Sequence, residues 1–210
     1  MRLFLDLDNT VTESRGPIAP EMFDTLIKFG EVVIVSGASK EQMRSQIGNL
    51  PCILLAQNGN DNPLWKRELY EDEKDFIREH LGKLVNNGAE YLEDRHCQMS
   101  YSFTGHHAPR EIKLAYDPDG SKRRAFIESR PPLNERIEVR IGGTTCLDYM
   151  PAGLNKGTNI ERFIREMTWQ PYECVYIGDA LFPGGNDETV IGKIPTLPVK
   201  NWRETLQFLT

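Results

Sequence analysis

Long apolar runs, internal repeats and low-complexity tracts are all missing from this 210-residue chain. A bilayer-crossing helix needs about 20 predominantly apolar residues, so no membrane-spanning segment is expected. Basic charge is also short: 25 Lys and Arg stand against 31 Asp and Glu, a net charge of −6. Broad contact with the nucleic-acid backbone is driven by cationic side chains, and this balance disfavours it. Only four cysteines occur, Cys52, Cys97, Cys146 and Cys174, with no CxxC pair. They read as core or spectator thiols of a protein in a reducing cytoplasm. A core strand begins within the first residues, so no signal or transit segment is expected. His96, His106 and His107, with Cys97 nearby, complete no zinc-ligand spacing, because adjacent side chains on a strand point to opposite faces.

The chain does hold 39% hydrophobic residues, enough to bury the core of one medium domain or two small ones. Its most informative run is Leu3-Phe4-Leu5-Asp6-Leu7-Asp8-Asn9-Thr10, an apolar strand ending in acids and a hydroxyl. Strand alternation is expected to bring Asp6 and Asp8 out on one face, and open parallel sheets bind ligands beyond the carboxyl ends of their strands. Carboxylates so placed repel unless a cation neutralises them. The same residue types also suit an ordinary strand-end turn.

Three further segments bear on that choice. Glu31-Val32-Val33-Ile34-Val35 runs into Ser36-Gly37, and Ser39-Lys40-Glu41-Gln42 then reads as a capping box. A hydroxyl and backbone N–H groups before a helix form an anion site, although a strand-to-helix connection of this kind is generic. Asn155-Lys156-Gly157 opens a helix with apolar residues at Ile160, Phe163, Ile164 and Met167. A lysine in a first helical turn opposes the macrodipole and is better explained if it serves an anion, although a lone solvated lysine is otherwise the commoner reading. The last segment is Val175-Tyr176-Ile177-Gly178-Asp179-Ala180-Leu181-Phe182-Pro183-Gly184-Gly185-Asn186-Asp187. There a second acidic strand end is followed by a sharp loop that returns Asn186 and Asp187 towards it.

In this order, DLDNT, Ser36-Gly37, Lys156 and GD…PGGND resemble the haloacid-dehalogenase superfamily of aspartate-dependent phosphotransferases. The resemblance is closer to its phosphomannomutase-like branch, whose pattern GDxxxPGGND is matched by Gly178, Asp179, Pro183, Gly184, Gly185, Asn186 and Asp187. It implies an α/β fold, a Rossmann-like core with a mostly parallel sheet, and a smaller inserted α+β cap. Residues 1–62 and 151–210 are expected to form the core and 63–150 the cap that sets substrate specificity. Core strands are expected near 2–7, 31–36, 52–56, 173–178 and 195–199, with helices near 19–29, 39–48, 155–167 and 201–209. The cap reads as a helix, strands near 90–94 and 97–103, a helix near 118–129, and strands near 136–141 and 145–150.

The resemblance also implies roles. Asp6 is the nucleophile and Asp8 the proton donor and acceptor. Ser36, Gly37 and Lys156 hold the phosphoryl oxygens. Mg2+ is held by the side chains of Asp6 and Asp179 and the backbone carbonyl of Asp8, and Asn186 and Asp187 support the loop. The physics agrees, because a carboxylate meeting a phosphate is repelled by about 4 kcal/mol per charge pair at about 4 Å and an effective dielectric of about 20, so cations must cancel it. In the cap, Arg95 and Asp148 match positions that hold the distal end of the substrate. His106 stands where an arginine is expected and Cys146 where a serine is, and Arg110, Lys113 and Arg140 are candidates for a third arginine. Among cap charges, Lys122-Arg123-Arg124 is expected on an exposed helix face. The charges between Glu71 and Arg78 are expected on a solvated one, with Phe76, Ile77, Leu81, Leu84 and Val85 buried.

A thinned arginine set favours Mg2+-dependent hydrolysis of a sugar phosphate or similar small phosphomonoester. The alternative is a phosphomannomutase interconverting mannose 6-phosphate and mannose 1-phosphate. A second alternative, a non-enzymatic phospho-receiver or sugar-phosphate sensor, sits less well with the second acid of DxDxT. A homodimer is the candidate assembly.

Overall fold

The computed structural model describes every residue except Pro132 and Asn134. In chain order its elements begin with β1 (Arg2–Asp6), α1 (Pro20–Leu26), β2 (Val32–Val35), α2 (Lys40–Ile47) and β3 (Ile53–Leu55). They continue with α3 (Glu71–Leu81), β4 (Leu92–Asp94), β5 (Met99–Ser102), α4 (Arg110–Tyr116), α5 (Ser121–Glu128), β6 (Ile137–Gly142) and β7 (Cys146–Pro151). They close with α6 (Lys156–Glu166), β8 (Cys174–Gly178), β9 (Thr196–Pro198) and α7 (Trp202–Leu209). Two compact units result: Met1–Lys66 with Leu154–Thr210, and Arg67–Gly153. No helix among the described residues is long and apolar enough to cross a membrane.

The first unit is an α/β layer structure on a parallel sheet ordered β3-β2-β1-β8-β9. Strands buried on both faces read as unbroken apolar runs, and Leu3-Phe4-Leu5 shows why. Leu3 and Leu5 pack with Met22 and Leu26 of α1, Met43 and Ile47 of α2 and Trp202 of α7. Phe4 packs on the other face with Ile160, Phe163 and Ile164 of α6. Each such buried side chain contributes about 1.5–3 kcal/mol. The helices start where side chains cap them: Ser39 accepts from the Gln42 N–H, Asn155 from that of Thr158, and Asn201 from those of Arg203 and Glu204. Helix α1 stops three residues short of the expected 29. Beyond Leu26, Lys28 and Phe29 donate to the carbonyls of Thr25 and Leu26, a tighter i→i−3 closure.

The second unit is an antiparallel sheet ordered β4-β5-β7-β6. Tyr101, Leu147, Tyr149 and Ile141 form its apolar face, packed with Ile77 and Leu81 of α3. The parallel core and inserted α+β element match the fold expected from the sequence, with three local corrections. Helix α4 was not anticipated. None of its residues is buried, so it carries no apolar periodicity, and Ile112 and Leu114 stay exposed. In α3, Phe76 is 40% exposed while Glu73 and Lys74 are buried. Glu73 caps the helix through the Tyr70 N–H and pairs with Arg67, and Lys74 bridges to Asp94 at 2.8 Å.

Arg123 is the third correction. It is buried, pairs with Asp117 at 2.7 Å and donates to the carbonyls of Gly142 and Gly143 in the β6–β7 turn. A single guanidinium thus satisfies a carboxylate and a hairpin backbone. Replacing Arg123 by Met should lower stability by about 3–5 kcal/mol, because Asp117 is left buried and uncompensated. Urea unfolding measures it, and Lys122→Ala on the exposed side of α5 should cost about 1 kcal/mol or less.

Candidate active site

Sheet order places the ends of β2, β1 and β8 side by side, with Asp6 level with Val35 and Leu5 level with Ile177. Ser36, Asp6 and Asp179 therefore emerge along one edge of the sheet. On the Phe4 face, α6 delivers Lys156 to that edge. Its Nζ is buried and lies 2.6 Å from Asp6 Oδ1 and 2.6 Å from Asp187 Oδ1. Helix α6 reaches this depth because residue 157 is glycine. A Cβ there would fall 1.8 Å from the carbonyl oxygen of Thr189, while the Gly157 N–H donates to the Thr189 hydroxyl.

Asp187 is fully buried and saturated. Its Oδ1 accepts from Lys156 and, at 2.6 Å, from the Tyr176 hydroxyl, and its Oδ2 accepts from the Ala180 N–H at 3.1 Å. It thereby joins the returning loop to the end of β8. Gly178 makes room for it, since a Cβ at that residue would lie 2.3 Å from Asp187 Oδ2. Asn186 lies half-buried in the same loop, its carbonyl accepting from the Thr189 hydroxyl.

One oxygen from each of Asp6, Asp179 and Asp187 lies within 4.8 Å of the others. Three carboxylates against one lysine make a site with surplus negative charge. Burial raises the Asp6 carboxyl well above the usual carboxylate range, against the opposing pull of Lys156. Asp179 is pushed up to about 6, first by burial and then by Asp187. Lys156 is raised: burial opposes its charge, but Asp187 and Asp6 outweigh it. A bound cation would reverse both carboxylate shifts, and this set of hard oxygens suits a small divalent ion.

Asp8 takes partners other than those of Asp6. Strand β1 ends at Asp6, and the chain turns as Val11 and Thr12 donate to the Leu7 carbonyl, so alternation no longer applies. Asp8 Oδ1 accepts from the Arg15 N–H at 2.7 Å and from Gln46 Nε2 of α2 at 3.0 Å. Ser36 follows β2, and its hydroxyl accepts from the Ala38 N–H, closing a turn around Gly37.

Of the candidate residues of the second unit, Asp148 and Arg140 share the polar face of its sheet, whereas Arg110 and Lys113 lie on α4. Glu93, Ser100, Asp148 and Arg140 lie in register across β4, β5, β7 and β6. The Ser100 hydroxyl donates to Asp148 Oδ1 at 2.7 Å, Arg95 donates to Glu93, and Arg140 pairs with Glu138. His106 is buried, and its Nε2 lies 3.0 Å from the Ser100 carbonyl. A carbonyl only accepts, so that nitrogen carries the proton, and Nδ1 faces Glu93 at 3.6 Å.

No family model matches the chain. Phosphomannomutase 1 of Dictyostelium discoideum is 27% identical, over 87% of this chain and 83% of its own. IMP-nucleotidase of Plasmodium falciparum, solved with IMP bound, superposes with a TM-score of 0.65 at 15% identity, over 99% of this chain and 66% of that one. Sucrose-phosphatase of Synechocystis, solved with sucrose and phosphate, gives 0.56 at 18% identity, over 99% and 87%. Over most of its length the chain is similar in sequence to phosphomannomutases, and its fold is that of solved haloacid-dehalogenase superfamily phosphatases.

Several site contacts had no signal in the sequence. Tyr176 sits among apolar strand residues and reads as core, Gln46 reads as a polar helix residue, and Glu93 as one acid among many. A buried tyrosine beside Asp187 becomes visible only when β8 and the loop after it are folded together. Tyr176→Phe should lower stability by about 1–2 kcal/mol by removing one hydrogen bond with little change of shape. Gly157→Ala should cost more, because its Cβ meets backbone. Urea midpoints of the two variants give the comparison.

Proposed function

We propose that the protein transfers phosphoryl groups through an aspartyl-phosphate on Asp6, with hydrolysis of a sugar phosphate or a similar small phosphomonoester as the net reaction. The observation that carries this reading is the meeting of Asp6 with buried Lys156 beside Asp179, at adjacent strand ends. Asp6 attacks phosphorus, the bond to the leaving oxygen breaks, and Asp8 supplies the proton that oxygen needs. Asp8, then a carboxylate, takes a proton from water as the water attacks phosphorus, which frees phosphate and restores Asp6. Lys156, the Ser36 hydroxyl and the Gly37 N–H offset charge on the phosphoryl oxygens. Mg2+, held by the side chains of Asp6 and Asp179 and the Asp8 carbonyl, would supply the positive charge that brings a carboxylate and a phosphate together.

Recognition of the rest of the substrate is assigned to the polar face of β4–β7. Three carboxylates, Glu93, Glu138 and Asp148, accompany two arginines, Arg95 and Arg140, and each arginine has an acidic partner. Such a face suits hydroxyl groups better than a second phosphate. Phosphomannomutase activity is the alternative, favoured by the similarity to that enzyme of Dictyostelium.

Phosphate release from a panel of sugar monophosphates with Mg2+ tests the reading. Release on one or a few monophosphates, with bisphosphates poorer, is expected. Isomerisation of mannose 1-phosphate with a trace of glucose 1,6-bisphosphate, without release, would make the mutase the correct reading. Asp6→Asn should reduce turnover by more than about 10³-fold while leaving the circular-dichroism spectrum intact. Mg2+ should also raise the melting temperature, adding about 2.7 kcal/mol of stability at about 100 times its Kd.

A further inference from the structure

We infer that Asn9 is a positioning residue for the metal-binding carboxylates, its side-chain amide fixing Asp179 so that Asp179 and Asp6 converge on one ion. The inference rests on the Mg2+-dependent reading above.

Asn9 has φ 63°, in the left-handed region that most non-glycine residues avoid. Asparagine occupies that region more readily than most, usually because its side chain bonds to nearby backbone. Here the amide instead crosses 170 positions of sequence to donate to Asp179 Oδ2 at 3.0 Å. The turn itself is closed by backbone alone, since Thr10, Val11 and Thr12 all donate to the Leu7 carbonyl. Glycine would meet that backbone requirement without strain. What glycine would lack is the donor, so the asparagine is explained by Asp179 and not by the turn.

The bond has a chemical consequence. Asp6 and Asp179 end neighbouring strands, and with Asp187 they crowd three carboxylates together. A neutral donor on one oxygen of Asp179 holds its plane and leaves the other oxygen for a cation. Mg2+ demands near-ideal octahedral geometry, so a ligand held in place binds it better than one that rotates freely. Groups that hydrogen-bond to ligating carboxylates typically govern metal affinity by about 10–100-fold.

The test is Asn9→Gly, which keeps the left-handed turn and deletes the amide. Mg2+ affinity is measured by calorimetry on the full chain without substrate, beside the metal-free melting temperature. The expected result is a Kd about 10-fold weaker, with a metal-free melting temperature within a few degrees of the parent. An unchanged Kd overturns the inference and leaves the phosphoryl-transfer reading standing. A variant that fails to fold, by circular dichroism, shows that Asn9 serves the turn and also overturns it. A parent protein that binds no Mg2+ overturns the metal reading itself.

Discussion

A lysine ammonium with no water around it must be surrounded by acceptors, and Lys156 meets that condition by lying between Asp6 and Asp187. Burying a charge costs several kcal/mol, and the cost is recovered only when geometry and further hydrogen bonds are good. The rest of the first unit is arranged to meet that demand. Gly157 lets α6 approach the turn at Thr189, Tyr176 and the Ala180 N–H hold Asp187, and the parallel order of β2, β1 and β8 brings Asp6 and Asp179 to one edge. Lys156 is therefore both a structural tie across 150 positions of sequence and a cation that faces Asp6.

The second unit solves a different problem. Its sheet keeps one face apolar against α3 and lines the other with charged and hydroxyl groups that answer one another. Arg95 and His106 both face Glu93, which offsets the Arg95 charge that would otherwise serve an anion.

Legibility in the sequence varied with the range of the interaction. Strands β1, β2 and β8 were readable because burial on both faces demands continuous apolar residues. The starts of α2, α6 and α7 were readable because a cap needs a particular side chain at a particular place. Helix α4 was not, since a helix that buries nothing leaves no periodic trace. Arg123 misled for the opposite reason: a cationic run looks solvated until Asp117 and the carbonyls of a distant hairpin are brought to it. The partners of Asp8 were not readable either, because the strand stopped one residue earlier than its apolar pattern suggested and the chain turned there.

The sequence by itself determined the order of acid, hydroxyl, lysine and acid at successive strand and helix ends, because local rules of alternation, capping and turn chemistry act over a few residues. Only the tertiary structure decided which of those groups meet. That Asp187 saturates on Lys156, Tyr176 and Ala180, and that Asn9 reaches Asp179, depends on which strands lie side by side and how closely α6 packs. Hydrogen bonds are lost beyond about 3.5 Å, so these partnerships exist only once the sheet and its helices have closed the distance.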